Sequence, residues 1–154
     1  MHAALGTGAN GPFFYWNVDT PVGLNGTNKE DDVLFVQWCL YKMARWDHVK
    51  PETRAILAKT PINGRCTGRD GDELITSIKA LQRMVGTVMV DGRVSPVRAG
   101  GTYRHQGVDR LFLIFALNNA LRMMYPAQYP RIDLMPEFVW RIKDKAIYPF
   151  QFNA

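Results

Sequence analysis

The stretch from about Val108 to Tyr125 constrains this chain most. It carries Leu111, Phe112, Ile114, Phe115, Leu117 and Leu121, so an α-helix there would be apolar on most of its faces and must be enclosed by protein. Its longest unbroken apolar run, Leu111 to Leu117, is about a third of the roughly 18–20 residues that span a bilayer. The segment therefore predicts a central core helix and no membrane insertion. Pro126 and Pro130 end it. The 154 residues, 47% of them hydrophobic, suffice for one sizeable core and suit a single domain.

The other periodic segments predict further helices around it. Glu30, Asp31 and Asp32 favour a helix N-terminus after Asn28 as cap, and Val33, Val36, Leu40 and Met43 follow at helical spacing, giving a helix over about 29–45. Pro51 opens a short helix to about Ala58. A third, about Asp72 to Val85, places Leu74, Ile78, Leu81 and Val85 on one stripe and stops at Gly86. Thr87 to Val90 looks strand-like before the Asp91-Gly92 turn. A last helix spans about Pro136 to Ala146, with Phe138, Val139 and Ile142 inward. Residues 1–28, rich in Gly, Asn, Thr and Pro, read as a surface arm pinned by Phe13, Phe14, Tyr15 and Trp16, and residues 148–154 as an aromatic tail with Tyr148, Phe150 and Phe152. The expected fold is all-α, a compact helical domain over 29–147 with turn-rich connections.

Two segments match in outline. Val33 to Gln37 lies on an apolar helix and is followed by the turn Asn63-Gly64-Arg65-Cys66-Thr67-Gly68; Ile78 to Gln82 lies on another and is followed by Asp91-Gly92-Arg93-Val94. This order resembles the peptidoglycan-binding domain of bacterial cell-wall hydrolases, in which apolar helices ending in Leu-Gln or Phe-Gln alternate with Asp-Gly turns. The resemblance covers roughly residues 29–97. Asn63 stands for the first Asp, Cys66 for an aromatic residue, and about fifteen extra residues lengthen the first connection. It implies a three-helix core with additional C-terminal helices, and a shallow groove for peptidoglycan or muropeptides beside the helices and turns. Candidate contacts are Gln37, Asn63, Arg65, Thr67, Gln82, Asp91 and Arg93. Taken by themselves, the glycines build turns, and the two glutamines either bond a turn backbone or offer an amide to a ligand.

Catalytic chemistry finds little support in the residues. His2, His48 and His105 are scattered, without the spacing of a zinc site. Cys39 lacks an elbow or Gly-rich oxyanion segment, and Cys39 and Cys66 read as separate thiols. Glu73 and Glu137 qualify as glycosidase acids by position only, and are more simply first-turn helix acids. Gly6-Thr7-Gly8-Ala9-Asn10-Gly11 imitates a dinucleotide loop without a preceding strand. No cofactor and no metal is expected. Arg141, Lys143 and Lys145 read as a solvated helix face, so nucleic acid is not an expected partner.

Two functions follow as expectations. One is a non-catalytic module that recognises bacterial cell-wall peptidoglycan, helped by a net charge of +5. The other is an adaptor or structural subunit of a phage tail, baseplate or contractile secretion apparatus, with Phe13 to Trp16 and Tyr148, Phe150 and Phe152 as protein contacts. The first residues lack the basic start and apolar run of a Sec signal. A soluble protein made in the cytoplasm would then reach the envelope by lysis, through a secretion machine or within a virion.

Overall fold

In a computed structural model, residues 1–8, 11–98, 112–136 and 138 are described. The element order is β1 (His2–Gly8), β2 (Gly11–Asn17), β3 (Val22–Gly23), α1 (Glu30–Met43), α2 (Pro51–Leu57), α3 (Glu73–Val85), β4 (Arg93–Val94) and α4 (Leu113–Met124), followed by a 3-10 turn at Ile132–Leu134. The all-α expectation is therefore corrected. Among the described residues four α-helices stand with two antiparallel two-stranded sheets, β1 with β2 and β3 with β4, in a mixed α/β fold.

The N-terminal stretch supplies most of the strand. His2 lies opposite Asn17 and Gly8 opposite Gly11, so Gly6, Thr7, Gly8 and Gly11 of the segment that imitated a nucleotide loop lie on paired strands. The aromatic run Phe13 to Trp16 favours extended backbone, while the Ala- and Gly-rich β1 lacks the alternation that would have revealed its pairing. Both faces of the ribbon's base are covered: Trp16 is 0% exposed, and Tyr15, Val18 and Val22 are buried in the core with it. Its attachment is polar as well. Asn118 of α4 accepts from the Trp16 backbone N–H at 2.7 Å and donates to the Trp16 and Ile114 carbonyls, while the Tyr129 hydroxyl donates to Asn118 Oδ1 at 2.9 Å. Trp16 Nε1 donates to the Pro130 carbonyl.

The enclosed helix is α1, not the last apolar one. Every residue from Asp32 to Leu40 is buried, whereas α4 turns Asn119, Arg122 and Met123 outward while Leu113, Ile114, Leu117 and Leu121 face the core. A stretch enclosed on every face can carry Asp32 and Gln37 only because both are hydrogen-bonded throughout. Asp32 accepts from the backbone N–H groups of Asp19 and Thr20 and from the Thr20 hydroxyl, and lies 2.8 Å from the Met1 ammonium. Burial alone would raise the Asp19 carboxyl, but hydrogen bonds from the Met1 ammonium, His2 and Lys29 hold it well below the usual carboxylate range.

Asn28 does not cap α1. It adopts a positive φ of 53° and its side chain bonds Gly23 and Gly26, folding residues 22–28 into a tight loop; Lys29 occupies the cap position without a side-chain capping bond. Asp72 does cap α3, accepting from the Leu74 N–H, and Gly86 ends that helix in the left-handed conformation. Thr87 to Val90 forms no strand; the strand is Arg93–Val94, where β3 supplies a partner. The predicted helix at 136–146 and tail at 148–154 lie, apart from Pro136 and Phe138, outside the described residues, as does the start of the predicted fourth helix. No helix among the described residues is long and apolar enough to cross a membrane.

Asn118→Ala should strip partners from the Trp16 N–H and carbonyl in a buried setting and cost on the order of 3 kcal/mol, read as a lowered urea midpoint. A loss below about 1 kcal/mol would show that the ribbon is not held through this side chain.

Candidate functional site

The two matched segments converge on one device, a helix-borne glutamine plugged into an Asx-Gly turn. Gln37 is 0% exposed. Its Oε1 accepts from the Asn63 and Gly64 N–H groups at 2.9 and 2.8 Å, and its Nε2 donates to Asn63 Oδ1 and to the Arg65 carbonyl at 3.0 and 3.2 Å. All four hydrogen-bonding positions of the amide are filled, so Gln37 has none left for a ligand. Gln82, 2% exposed, repeats the arrangement. Oε1 accepts from the Gly92 N–H at 2.9 Å, and Nε2 donates to Asp91 Oδ1 and to the Arg93 carbonyl. In both turns the Asx oxygen also accepts from the N–H two residues on, at Arg65 and at Arg93.

Glycine is required at the centre of each turn. Gly64 and Gly92 have φ of 73° and 70°. A Cβ on Gly64 would come within 2.7 Å of Glu30 Cγ, and one on Gly92 within 3.0 Å of Lys79 Cε.

The seven candidate contacts fall into two groups. Gln37, Asn63, Arg65 and Thr67 line one cleft of about 300 Å³, together with Pro61, Cys66, Asp72, Glu73 and Leu74. Gln82, Asp91 and Arg93 do not line it. Their turn is flanked instead by β3, with Val22 opposite Val94, Gly23 opposite Arg93 and the Leu24 N–H donating to the Gly92 carbonyl. Arg93 Nε is buried without a hydrogen-bond partner among the described residues.

The acidic start of α3, read from the sequence only as a helix signal, forms one wall of the cleft. Asp72 accepts from the Thr67 N–H at 2.8 Å and from the Leu74 N–H at 2.9 Å, which ties the turn to the helix. Burial would raise its carboxyl, but the bonds from Thr67, Leu74 and Ile75 outweigh that and leave it below the usual range. Asp72 is thus an ionised structural anchor, with no proton to give as a general acid at neutral pH. Burial raises the half-buried Cys66 thiol. Cys39 is fully buried in α1 and its thiol is pushed far up, which removes the thiolate that a nucleophile needs. The two cysteines are not bonded to each other.

Of the histidines, His2 contacts Asp19 and His48 stacks on Trp46, while His105 lies outside the described residues, as does Glu137. Among the described residues no group of three or more His, Cys, Asp or Glu side chains could hold a metal ion. Of the predicted interface residues, Tyr15 and Trp16 are buried, Phe13 and Phe14 are partly buried on the ribbon, and Tyr148, Phe150 and Phe152 lie outside the described residues. Comparison with family models, with curated proteins and with solved structures finds no match to this chain.

Gln37→Ala should cost about 2–3 kcal/mol by orphaning the turn's N–H groups, with a loss under about 0.5 kcal/mol arguing against the lock. Asp72→Ala should cost about 1 kcal/mol at neutral pH. Because the folded carboxyl is depressed, that contribution is present above the unfolded value of about 3.9 and fades as pH falls through the folded one. The stability gap between wild type and variant should therefore narrow below about pH 4; a gap unchanged at about pH 2 rejects the ionised anchor.

Proposed function

We propose that this chain is a non-catalytic binding module whose cleft, between the first locked turn and the start of α3, engages bacterial cell-wall peptidoglycan or its muropeptide fragments. The observation that carries this reading is a division of labour in the cleft. Gln37, Asn63 Oδ1 and Asp72 are tied into the turn and the helix start and form a rigid floor, while the exposed Arg65 and Glu73 stand on the rim. A preorganised polar cleft loses little entropy when it binds. The net positive charge adds a general attraction to anionic wall polymers that weakens with salt.

The adaptor reading, a subunit of a phage tail, baseplate or contractile secretion apparatus, draws on Phe13 to Trp16 and on Tyr148, Phe150 and Phe152 as exposed anchors. Burial of Tyr15 and Trp16 takes two of these anchors from it, and Tyr148, Phe150 and Phe152 lie outside the described residues.

Purified sacculi provide the test. At moderate salt the folded protein should co-sediment with them, and Arg65→Ala, at an exposed site, should lower the retained fraction severalfold without shifting the thermal midpoint. Folded wild-type protein that stays in the supernatant overturns the proposal.

A further inference from the structure

The charges around the cleft discriminate between the parts of a wall polymer. Arg65 and Glu73 line the same cleft of about 300 Å³. Among the described residues neither the guanidinium nor the Glu73 carboxylate has a hydrogen-bond or ion-pair partner. Asp72, next in sequence, has both oxygens occupied by the Thr67 and Leu74 N–H groups. That also caps α3, so the helix end is not a vacant anion site. One cation and one anion thus stand unpaired around a volume at the small end of ligand pockets. No aromatic ring among the described residues lines the cleft. The apolar face of a sugar, which commonly packs on such a ring, has nothing to stack against.

We infer that the cleft takes a peptide segment carrying both an ammonium and a carboxylate, the zwitterionic part of a wall peptide stem, and not the sugar backbone. The inference rests on the wall-binding reading above. The ligand carboxylate meets the Arg65 fork, whose planar N–H groups match two oxygens, and the ligand ammonium meets Glu73. A ligand with a carboxylate alone would also face Asp72 and Glu73, and one with an amine alone would leave Arg65 unmatched. The cleft selects the pair of charges, not either one.

Three soluble probes test this on isotope-labelled protein by NMR titration: an N-terminally acetylated stem tripeptide with a free side-chain amine on its diamino acid, the same peptide acetylated on that amine as well, and a peptide-free disaccharide of N-acetylated sugars. The free-amine peptide should shift the amide signals of Arg65, Thr67 and Glu73. Acetylation should weaken binding about fivefold, as expected for loss of one partly exposed ion pair. Glu73→Gln should abolish the difference between the two peptides, and Arg65→Ala should weaken both; both sites are exposed and both variants should fold. If the disaccharide shifts these signals and the peptides do not, the inference falls and the wall-binding reading stands. The same holds if no probe shifts them although the protein sediments with sacculi. If there is neither shift nor sedimentation, the wall-binding reading falls and takes the inference with it. Equal affinity for the free and acetylated peptides also overturns the inference.

Discussion

Much of the described structure depends on two buried carboxamides. A glutamine near the middle of an enclosed helix would be costly if its polar atoms were unmet. Gln37 escapes that cost by filling every hydrogen-bonding position against the turn at Asn63–Arg65. The bond set fixes where the loop crosses α1. Through Thr67 and Asp72 it also fixes where α3 begins. Gln82 does the same for the turn at Asp91–Arg93. The two turns are joined by residues 22–28: Leu24 donates to the Gly92 carbonyl and Asn25 to that of Gly68. The helices α1 and α3 are thus held in register by polar contacts at the turns as well as by apolar packing.

The same lock works over different chain lengths. Gln82 and Asp91 are nine residues apart in sequence, whereas Gln37 and Asn63 are separated by twenty-six, with α2 in the interval. A side-chain lock senses only the local turn, and loop closure costs little more for a longer connection, so the longer interval still leaves three hydrogen bonds in common between the two locks. The surroundings make the two turns different. β3 lies along the second, while the first is left open beside Arg65, Cys66 and Glu73. An open turn on a rigid floor is suited to bind, and a covered one to hold the fold together.

Buried charge and amide groups also explain why the N-terminal ribbon belongs to the body of the protein. Asp32 gathers the backbone of residues 19 and 20, and Asn118 gathers that of Trp16. Both lie on helices, facing inward, and each meets a segment distant in sequence. Such bonds are specific in direction, and each would leave a buried polar group unmet if the ribbon packed elsewhere.

By itself the sequence determined the helices whose period or punctuation is local. Pro51 at the start of α2, Asp72 and Gly86 at the ends of α3, and the two Asx-Gly turns were all legible, because capping and positive-φ turns are decided by a few neighbouring residues. Three of the seven candidate contacts, Asn63, Arg65 and Thr67, share a cleft for the same reason, since they belong to one turn. Only the tertiary structure decided the rest. The strands β1, β3 and β4 exist through partners found elsewhere in the chain, and Gly- and Ala-rich or two-residue strands carry no periodic signal of their own. Which helix is enclosed was decided by long-range hydrogen bonds to Asp32 and Gln37, which let a helix with buried polar groups take the centre in place of the more apolar α4. Asp72 and Glu73 became part of a cleft, and Gln37 part of its floor, through contacts between residues far apart in sequence. Hydrophobic period reports one element's preference for a buried face; it carries no information about which other element will meet it.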